Sequence, residues 1–380
     1  MSELEFRPDF PAVRENWRRF WEGTLNRPIL LAEPPRPGVE PVEKPPWGAA
    51  YTRADEAVVD QLLRWAETHQ FLGDAVPCGY PSLIIDLLPA FLGAEIAAVR
   101  EPWGTDTHAL PCLEDLDAAE IRFRPESPWW ERWVKLAECF RRKCAGRLIF
   151  GTAAPYYNNL DTLAALRGNA RLLTDLYDNP AGVHHTMRQI MAAYDEVTAE
   201  VCRILEVGKY GSVTGHGFYA AGRAATVQCD FGFNISPEHF REFALPYLRE
   251  EVGRHDAIEY HLDGPGNARH VAAVCGLEAV RVVQWVPGAG DAPGKDWSWL
   301  YGQISALGKG LWLSANTPEA AVALWERYGA AGRMILSVQA ADQAAMDRYL
   351  EAFAAPGRTR GTRLAASGDS GYGAAAALSG

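Results

Sequence analysis

Eight short apolar runs constrain this chain more than any other feature: residues 29–33, 75–78, 148–154, 211–216, 257–263, 280–286, 310–315 and 334–339. Each is closed by glycine, proline or a polar residue, the punctuation of strands. Helical patterns separate most of them. Strands that alternate with helices build a parallel sheet covered on its faces, because each crossover lays a helix against it. Eight such units over 380 residues predict an α/β chain folded as a (β/α)8 TIM barrel with loop insertions. A doubly wound open sheet is the alternative. No Gly-x-Gly-x-x-Gly follows the first run and no P-loop pattern occurs, which counts against nucleotide binding.

Helix starts are legible from their caps. Asn179-Pro180 puts a cap residue before proline at the first helical position; apolar residues from Val183 to Leu205 recur at three and four, and Gly208 ends the pattern. Ser236-Pro237-Glu238 and Thr317-Pro318-Glu319 open two more. Residues 1–355 read as one barrel domain. Residues 34–47 hold six prolines and cannot be regular structure. An insertion spans about 81–147, with an extra helical segment and a turn at Pro128-Trp129-Trp130. Residues 356–380 are rich in Gly, Ala and Ser and read as a flexible tail.

The 37 basic and 48 acidic residues leave a formal charge of −11. A nucleic acid or an anionic membrane wants a basic surface, so neither is an expected partner. The N-terminus carries no signal-peptide pattern, and no apolar run approaches a membrane span. Seven scattered Cys without a Cys-x-x-Cys pair fit a reducing cytoplasm.

The chemistry-bearing stretch is Tyr260-His261-Leu262-Asp263-Gly264-Pro265-Gly266. Residues i and i+2 of a strand share a side, so His261 and Asp263 project together where the strand meets a turn. A structural His and a helix-capping Asp are the plainer reading. In a barrel the carboxyl ends of the strands face one mouth, which gathers Glu33, Asp74 or Cys78, Thr152, His216, His261, Asp263, Gln284, Trp285, Asn316 and Gln339. His216, expected at the end of the strand beside that of His261, would join His261 and Asp263 as a set of two His and one carboxylate able to bind a metal. The competing role makes His261 an acid/base oriented by Asp263. Gln228-Cys229-Asp230 precedes a helix start and would lie over the same mouth; Asp230 either meets substrate or caps a turn, and Cys229 is a soft ligand or buried filler. Trp285 offers a flat wall or is core, and the glycines of Gly288-Ala289-Gly290 let backbone approach a ligand. Trp103, Trp129, Trp130, Trp297 and Trp299 read as loop residues suited to stacking or to packing.

Several stretches are similar to the uroporphyrinogen decarboxylase superfamily: 155–168 with the long helix after it, Gln228 to Pro246 (QCDFGFNISPEHFREFALP), the His261–Gly266 strand end, and 308–339. The resemblance covers roughly 26–353 and implies a (β/α)8 barrel in a family of porphyrinogen decarboxylases and cobalamin-linked methyltransferases. The decarboxylases cradle a polyanion with an Arg-rich segment after the first strand; here residues 33–44 hold one Arg, one Lys and three Glu, which argues against uroporphyrinogen as substrate. The methyltransferases bind zinc through His-x-Cys and a second Cys. Here Asp263 stands at the first Cys position and no Cys lies near the last strand, so a harder N/O site through His261 and Asp263, with His216 or Glu33 as a further ligand, is expected. The resemblance thus implies a methyltransferase or demethylase acting on a small substrate, with a divalent metal such as zinc and a corrinoid or folate carrier. Expected partners are that substrate, a corrinoid protein and a second copy of the chain. Expected roles are catalysis by His261, Asp263 and Asp230, and substrate binding by Gln228, Gln284, Trp285, His216 and Asn316. Decarboxylation of a small organic acid, or non-catalytic binding of a ring-shaped ligand, are the alternatives.

Overall fold

The computed structural model describes residues 3–101, 104–155, 158–288 and 295–354. Trp103, Ala289, Gly290 and the tail 356–380 lie outside the described residues. The strands are β1 (Ile29–Ala32), β2 (Leu72–Gly73), β3 (Ile96–Glu101), β4 (Gly104–Ala109), β5 (Ser212–Val213), β6 (Tyr219–Ala220), β7 (Ala224–Val227), β8 (Ala257–Asp263), β9 (Val280–Val286), β10 (Gly310–Ala315) and β11 (Met334–Val338). Seven of them form one sheet in the order β2-β1-β11-β10-β9-β8-β7, parallel apart from the β1/β2 pair. The fold is mixed α/β on a parallel sheet.

Five of the expected runs are strands of this sheet: β1, β8, β9, β10 and β11. The others differ. Residues 75–78 and 148–154 form no ladder and meet through one isolated parallel bridge, Cys78 with Ile149. Pro77 interrupts the first run, because proline has no N–H to give a ladder; Gly151 lies close against Leu205, where an added Cβ would stand 2.9 Å from Cδ1. Scattered backbone bonds join them to their neighbours instead. Asp74 donates to Leu30 at 2.7 Å, Ile149 to Pro77 at 2.9 Å, Val213 to Gly151 at 2.8 Å and Ala153 to Ala224 at 3.2 Å. The run 211–216 supplies only β5, which pairs antiparallel with β6. The parallel neighbour of β8 is β7, an Ala-Ala-Thr-Val strand with too little apolar bulk to stand out in the sequence.

The helices start where their caps predict. Asn179 accepts from Gly182 N at 2.9 Å ahead of Pro180–Ile204, Ser236 from His239 N at 3.2 Å ahead of Pro237–His239, and Thr317 from Ala320 N at 3.2 Å ahead of Pro318–Tyr328. The insertion holds the β3/β4 hairpin and the helix Pro128–Cys144. Pro128-Trp129-Trp130 is therefore not a turn but the first turn of that helix, capped by Ser127, which accepts from Trp129 N at 3.3 Å. Trp130 is buried and stacks on Trp133 at 5.3 Å between ring centroids, so its role is packing. Among the described residues no helix is long and apolar enough to cross a membrane.

Candidate functional site

Strand β8 sorts its side chains by alternation. Ile258, Tyr260 and Leu262 are buried in the main apolar core. Glu259, His261 and Asp263 point the other way. Glu259, fully buried, is the residue that sequence reasoning missed, although the two-residue rule that pairs His261 with Asp263 extends to it directly. Its Oε1 receives the Nδ1–H of His216 at 2.8 Å and its Oε2 the hydroxyl of Thr226 at 3.1 Å. Burial pushes the His216 imidazole toward its neutral form, but the charge of Glu259 and this hydrogen bond outweigh burial and raise its pKa. His216 does not sit at a strand end. It lies in the turn between β5 and β6, where Gly215 N donates to Thr226 Oγ1 at 2.9 Å and the Tyr80 hydroxyl to Gly215 O at 2.7 Å.

His261 and Gln284 are register partners across β8 and β9, and His261 Nδ1 donates to Gln284 Oε1. With Nδ1 so engaged, Nε2 is the ring nitrogen left for a ligand, the arrangement in which an outer partner orients a metal-binding His. Asp230 reaches the same place from the end of β7. Asp161, buried in the helix Asn159–Arg167, accepts the backbone N–H of Asp230 at 3.0 Å and of Phe231 at 2.8 Å. Gln228 Nε2 donates to Asp230 Oδ2 at 2.8 Å, and Asn159 Nδ2 holds Gln228 O at 2.9 Å. Below them Glu251, fully buried, accepts from Asn158 at 2.9 Å and from Asn159 at 2.6 Å; burial raises its pKa to about 7, against the lowering pull of the two amides.

These elements bring one donor atom each of Asp230, His261 and Asp263 to within 4.8 Å of one another. The group therefore contains Asp230 where the sequence suggested His216, whose ring centroid stands 5.7 Å from that of His261 and whose Nδ1 is committed to Glu259. Asp263 Oδ1 is buried without a hydrogen-bond partner among the described residues. A buried carboxylate oxygen left unmatched is costly, so this atom fits a cation. The group lines a cavity of about 320 Å³ together with Trp47, Tyr80, His216 and Gln228.

Other expected positions serve elsewhere. Trp285 is buried against Trp297 at 4.8 Å between centroids, opposite in alternation to Gln284, and is not in the cavity wall. Asn316 and Gln339 are exposed and line neither this cavity nor the one described below. Asp74, fully buried, holds Arg27 at 2.6 Å and Leu30 N at 3.0 Å. Thr152 donates to Ala154 O at 3.0 Å. Cys229 is buried, and burial pushes its thiol well above the usual range, so it is filler.

Fold and site together define an α/β protein whose ionisable residues converge beyond the carboxyl ends of parallel strands, the usual place for ligands in such sheets. Among solved structures the fold is similar to that of a methyltransferase from Methanosarcina mazei, with a TM-score of 0.55 and 11% sequence identity over 90% of this chain and 98% of that one. No family model and no curated protein matches the sequence. At this identity the likeness is one of fold.

Proposed function

We propose that this protein is a methyltransferase-type enzyme acting on a small substrate, and that Asp230, His261 and Asp263 hold a divalent metal. The observation that carries the reading is the convergence of these three donors within 4.8 Å on a cavity wall; the fold of a methyltransferase supports the reaction class. One imidazole and two carboxylates make a hard N/O donor set, suited to zinc, iron, cobalt or manganese rather than to a thiolate-preferring site. A metal there supplies Lewis-acid polarisation of the substrate heteroatom. Gln284 fixes the orientation of His261, Asp161 and Gln228 fix Asp230, and His216, whose protonated form Glu259 favours, would offer a proton from Nε2 to a heteroatom that gives up its methyl group. A corrinoid carrier in its cob(I) state would take the methyl group and become methylcob(III), the exchange that the assay below follows in reverse. The reading also takes the sheet, closed through segments 74–79 and 149–153, as a (β/α)8 barrel of the uroporphyrinogen decarboxylase type; the backbone bonds that link these segments from β1 to β7 support it.

The test joins two measurements. Metal is quantified by inductively coupled plasma mass spectrometry in wild type and His261→Ala after reconstitution with zinc, iron or cobalt. Methyl transfer from methylcob(III)alamin to a small thiol or phenol is followed by loss of the methylcobalamin spectrum as cob(I)alamin forms. Near-stoichiometric metal that disappears in the variant, with metal-dependent transfer in wild type, is the expected result. Metal-free wild type without transfer would end the reading.

A second reading has one specific support. The His216–Glu259 pair suits protonation of the carbanion left when a small organic acid loses CO2. It predicts metal-independent turnover abolished by His216→Ala.

A further inference from the structure

The cavity beside the Asp230–His261–Asp263 group shares Trp47, Tyr80, Gly215 and His216 with a second chamber of about 330 Å³, a size within the roughly 300–1,000 Å³ of small-molecule sites. The methyl-transfer reading assigns nothing to this chamber. Much of its wall is apolar and buried, including Ala50, Val58, Leu62, Ala75, Val76 and Phe140. Burial pushes the Cys78 thiol up to about 11, so it is an uncharged part of the same wall. Glu33 and Lys44 border the chamber, but both are exposed, and Lys44 Nζ lies over the ring of Trp65, which is not part of the wall, at 4.3 Å. Both charges therefore keep their water.

The polar groups of the wall are largely spent within the protein. Gly79 N donates to Ile149 O, Gly215 N to Thr226 Oγ1 and Gly217 N to Thr214 O, each at 2.9 Å. The Tyr80 hydroxyl donates to Gly215 O at 2.7 Å, the Trp312 indole N–H to Ser337 Oγ at 2.9 Å, and Ser82 Oγ accepts from Gly48 N at 2.9 Å. His216 differs: Nδ1 meets Glu259 Oε1 at 2.8 Å, while Nε2 has no hydrogen bond among the described residues. Its ring stands between the two cavities, 5.1 Å from the Trp312 ring of the chamber and 5.7 Å from the His261 ring of the other. Because Glu259 is already the counter-charge of His216, an ion of either sign would lose its hydration in the chamber without gaining a partner ion. An uncharged molecule with one acceptor avoids that cost and answers the Nε2–H. Trp47, Tyr80, Phe140 and Trp312 line the chamber, surroundings in which an aromatic ring gains more than a saturated ring of the same size.

We propose that the second chamber binds an uncharged molecule built on a single aromatic ring, its body against the apolar wall and one oxygen acceptor at the end that takes the Nε2–H of His216. That end then faces the cavity of the Asp230–His261–Asp263 group. The inference rests on the methyl-transfer reading for a reaction at the acceptor end, but not for the binding.

Isothermal titration calorimetry on the full chain tests the binding alone, at about pH 6, below the ordinary His value of about 6.5, so that His216 carries both protons. The probes are acetophenone, cyclohexyl methyl ketone (the acceptor on a saturated ring), benzoate (similar size, anionic) and ethylbenzene (the ring without the acceptor). Acetophenone is expected to bind at least three-fold more tightly than cyclohexyl methyl ketone and at least ten-fold more tightly than benzoate. Val58→Phe fills the chamber and should weaken acetophenone and ethylbenzene alike, at least ten-fold; Ala49→Leu, from the neighbouring helix, replaces it if that variant does not fold. His216→Asn keeps an amide N–H for Glu259 but has no counterpart of Nε2, and should weaken acetophenone at least five-fold while leaving ethylbenzene unchanged. Acetophenone bound no better than benzoate or the saturated ketone, or a folded His216→Asn protein that weakens both probes alike or neither, overturns the proposal. Selective binding by a protein that neither holds metal nor transfers methyl groups upholds this proposal and ends the methyl-transfer reading. Metal-dependent transfer without probe selectivity does the reverse.

Discussion

His216 Nδ1 and Glu259 Oε1 lie 2.8 Å apart, and Glu259 is completely buried. A carboxylate without solvent needs its partners, and here they are an imidazole from a turn and a hydroxyl from the neighbouring strand. The raised pKa of His216 means that the folded state holds its proton more tightly than the unfolded chain. The pair's contribution is therefore complete below the unfolded value of about 6.5 and is lost as pH rises through the folded value. Glu259→Gln should remove this dependence and cost about 1–3 kcal/mol on the acid side of the window. Imidazole NMR titration of His216 and urea unfolding across the same pH range check both parts; an unmoved His216 titration would refute the assignment.

Asp161 holds two consecutive backbone N–H groups of the loop that carries Asp230. In Asp161→Asn one of them faces an amide NH2 and loses its acceptor, at about 1–3 kcal/mol for a buried donor. Because the loop aims Asp230, metal affinity should fall about 10–100-fold, as for other residues that orient a ligand. Competition with a chromogenic chelator measures affinity, and urea unfolding of the apo-protein measures stability. Lost stability with intact affinity would make Asp161 structural only.

Glu251 and His255 pull the pH profile in opposite directions. Burial raises the Glu251 carboxyl to about 7, so between the unfolded value of about 4.3 and 7 the folded state binds more protons and stability declines as pH rises, by roughly 4 kcal/mol in all. Burial lowers His255 to about 4, so between about 4 and 6.5 the unfolded state binds more protons and stability grows with pH. Glu251→Gln should remove this part of the decline, so that stability rises more steeply with pH between about 4 and 6.5 than in wild type. Unfolding free energies from pH 4 to 8 in the two proteins decide this.

Gly217 follows His216 at φ 84° and would place a Cβ 3.1 Å from Cys78 Sγ. Both the left-handed backbone and the crowding oppose a side chain there. Gly217→Ala should cost about 1 kcal/mol or more and displace His216 from Glu259. A changed His216 titration in a folded variant is the sign to look for, and wild-type values would exclude it.

Much of the sheet was legible because long apolar strands announce themselves. Ala257–Asp263, Val280–Val286 and Gly310–Ala315 have the bounds expected from sequence. The runs at 75–78 and 148–154 were apolar too, yet they meet through one isolated bridge and Pro77 has no N–H to extend it, while the Ala-rich β7 becomes a strand only by lying beside β8. Tryptophans were read less well. Trp130 and Trp285 carry no local mark that separates a packing ring from a binding ring, and both proved to be packing.

Strand period two placed His261 and Asp263 on one side from sequence alone, and the same period, followed one step back, reaches Glu259. That geometry is local to β8. Asp230 joins the group only because Asp161, from a helix 69 residues earlier, grips its backbone, and His216 reaches Glu259 only because a hairpin turn folds over Thr226. Periodicity is written in neighbouring residues, whereas which loop meets which strand end is decided when distant buried polar groups must find each other as partners.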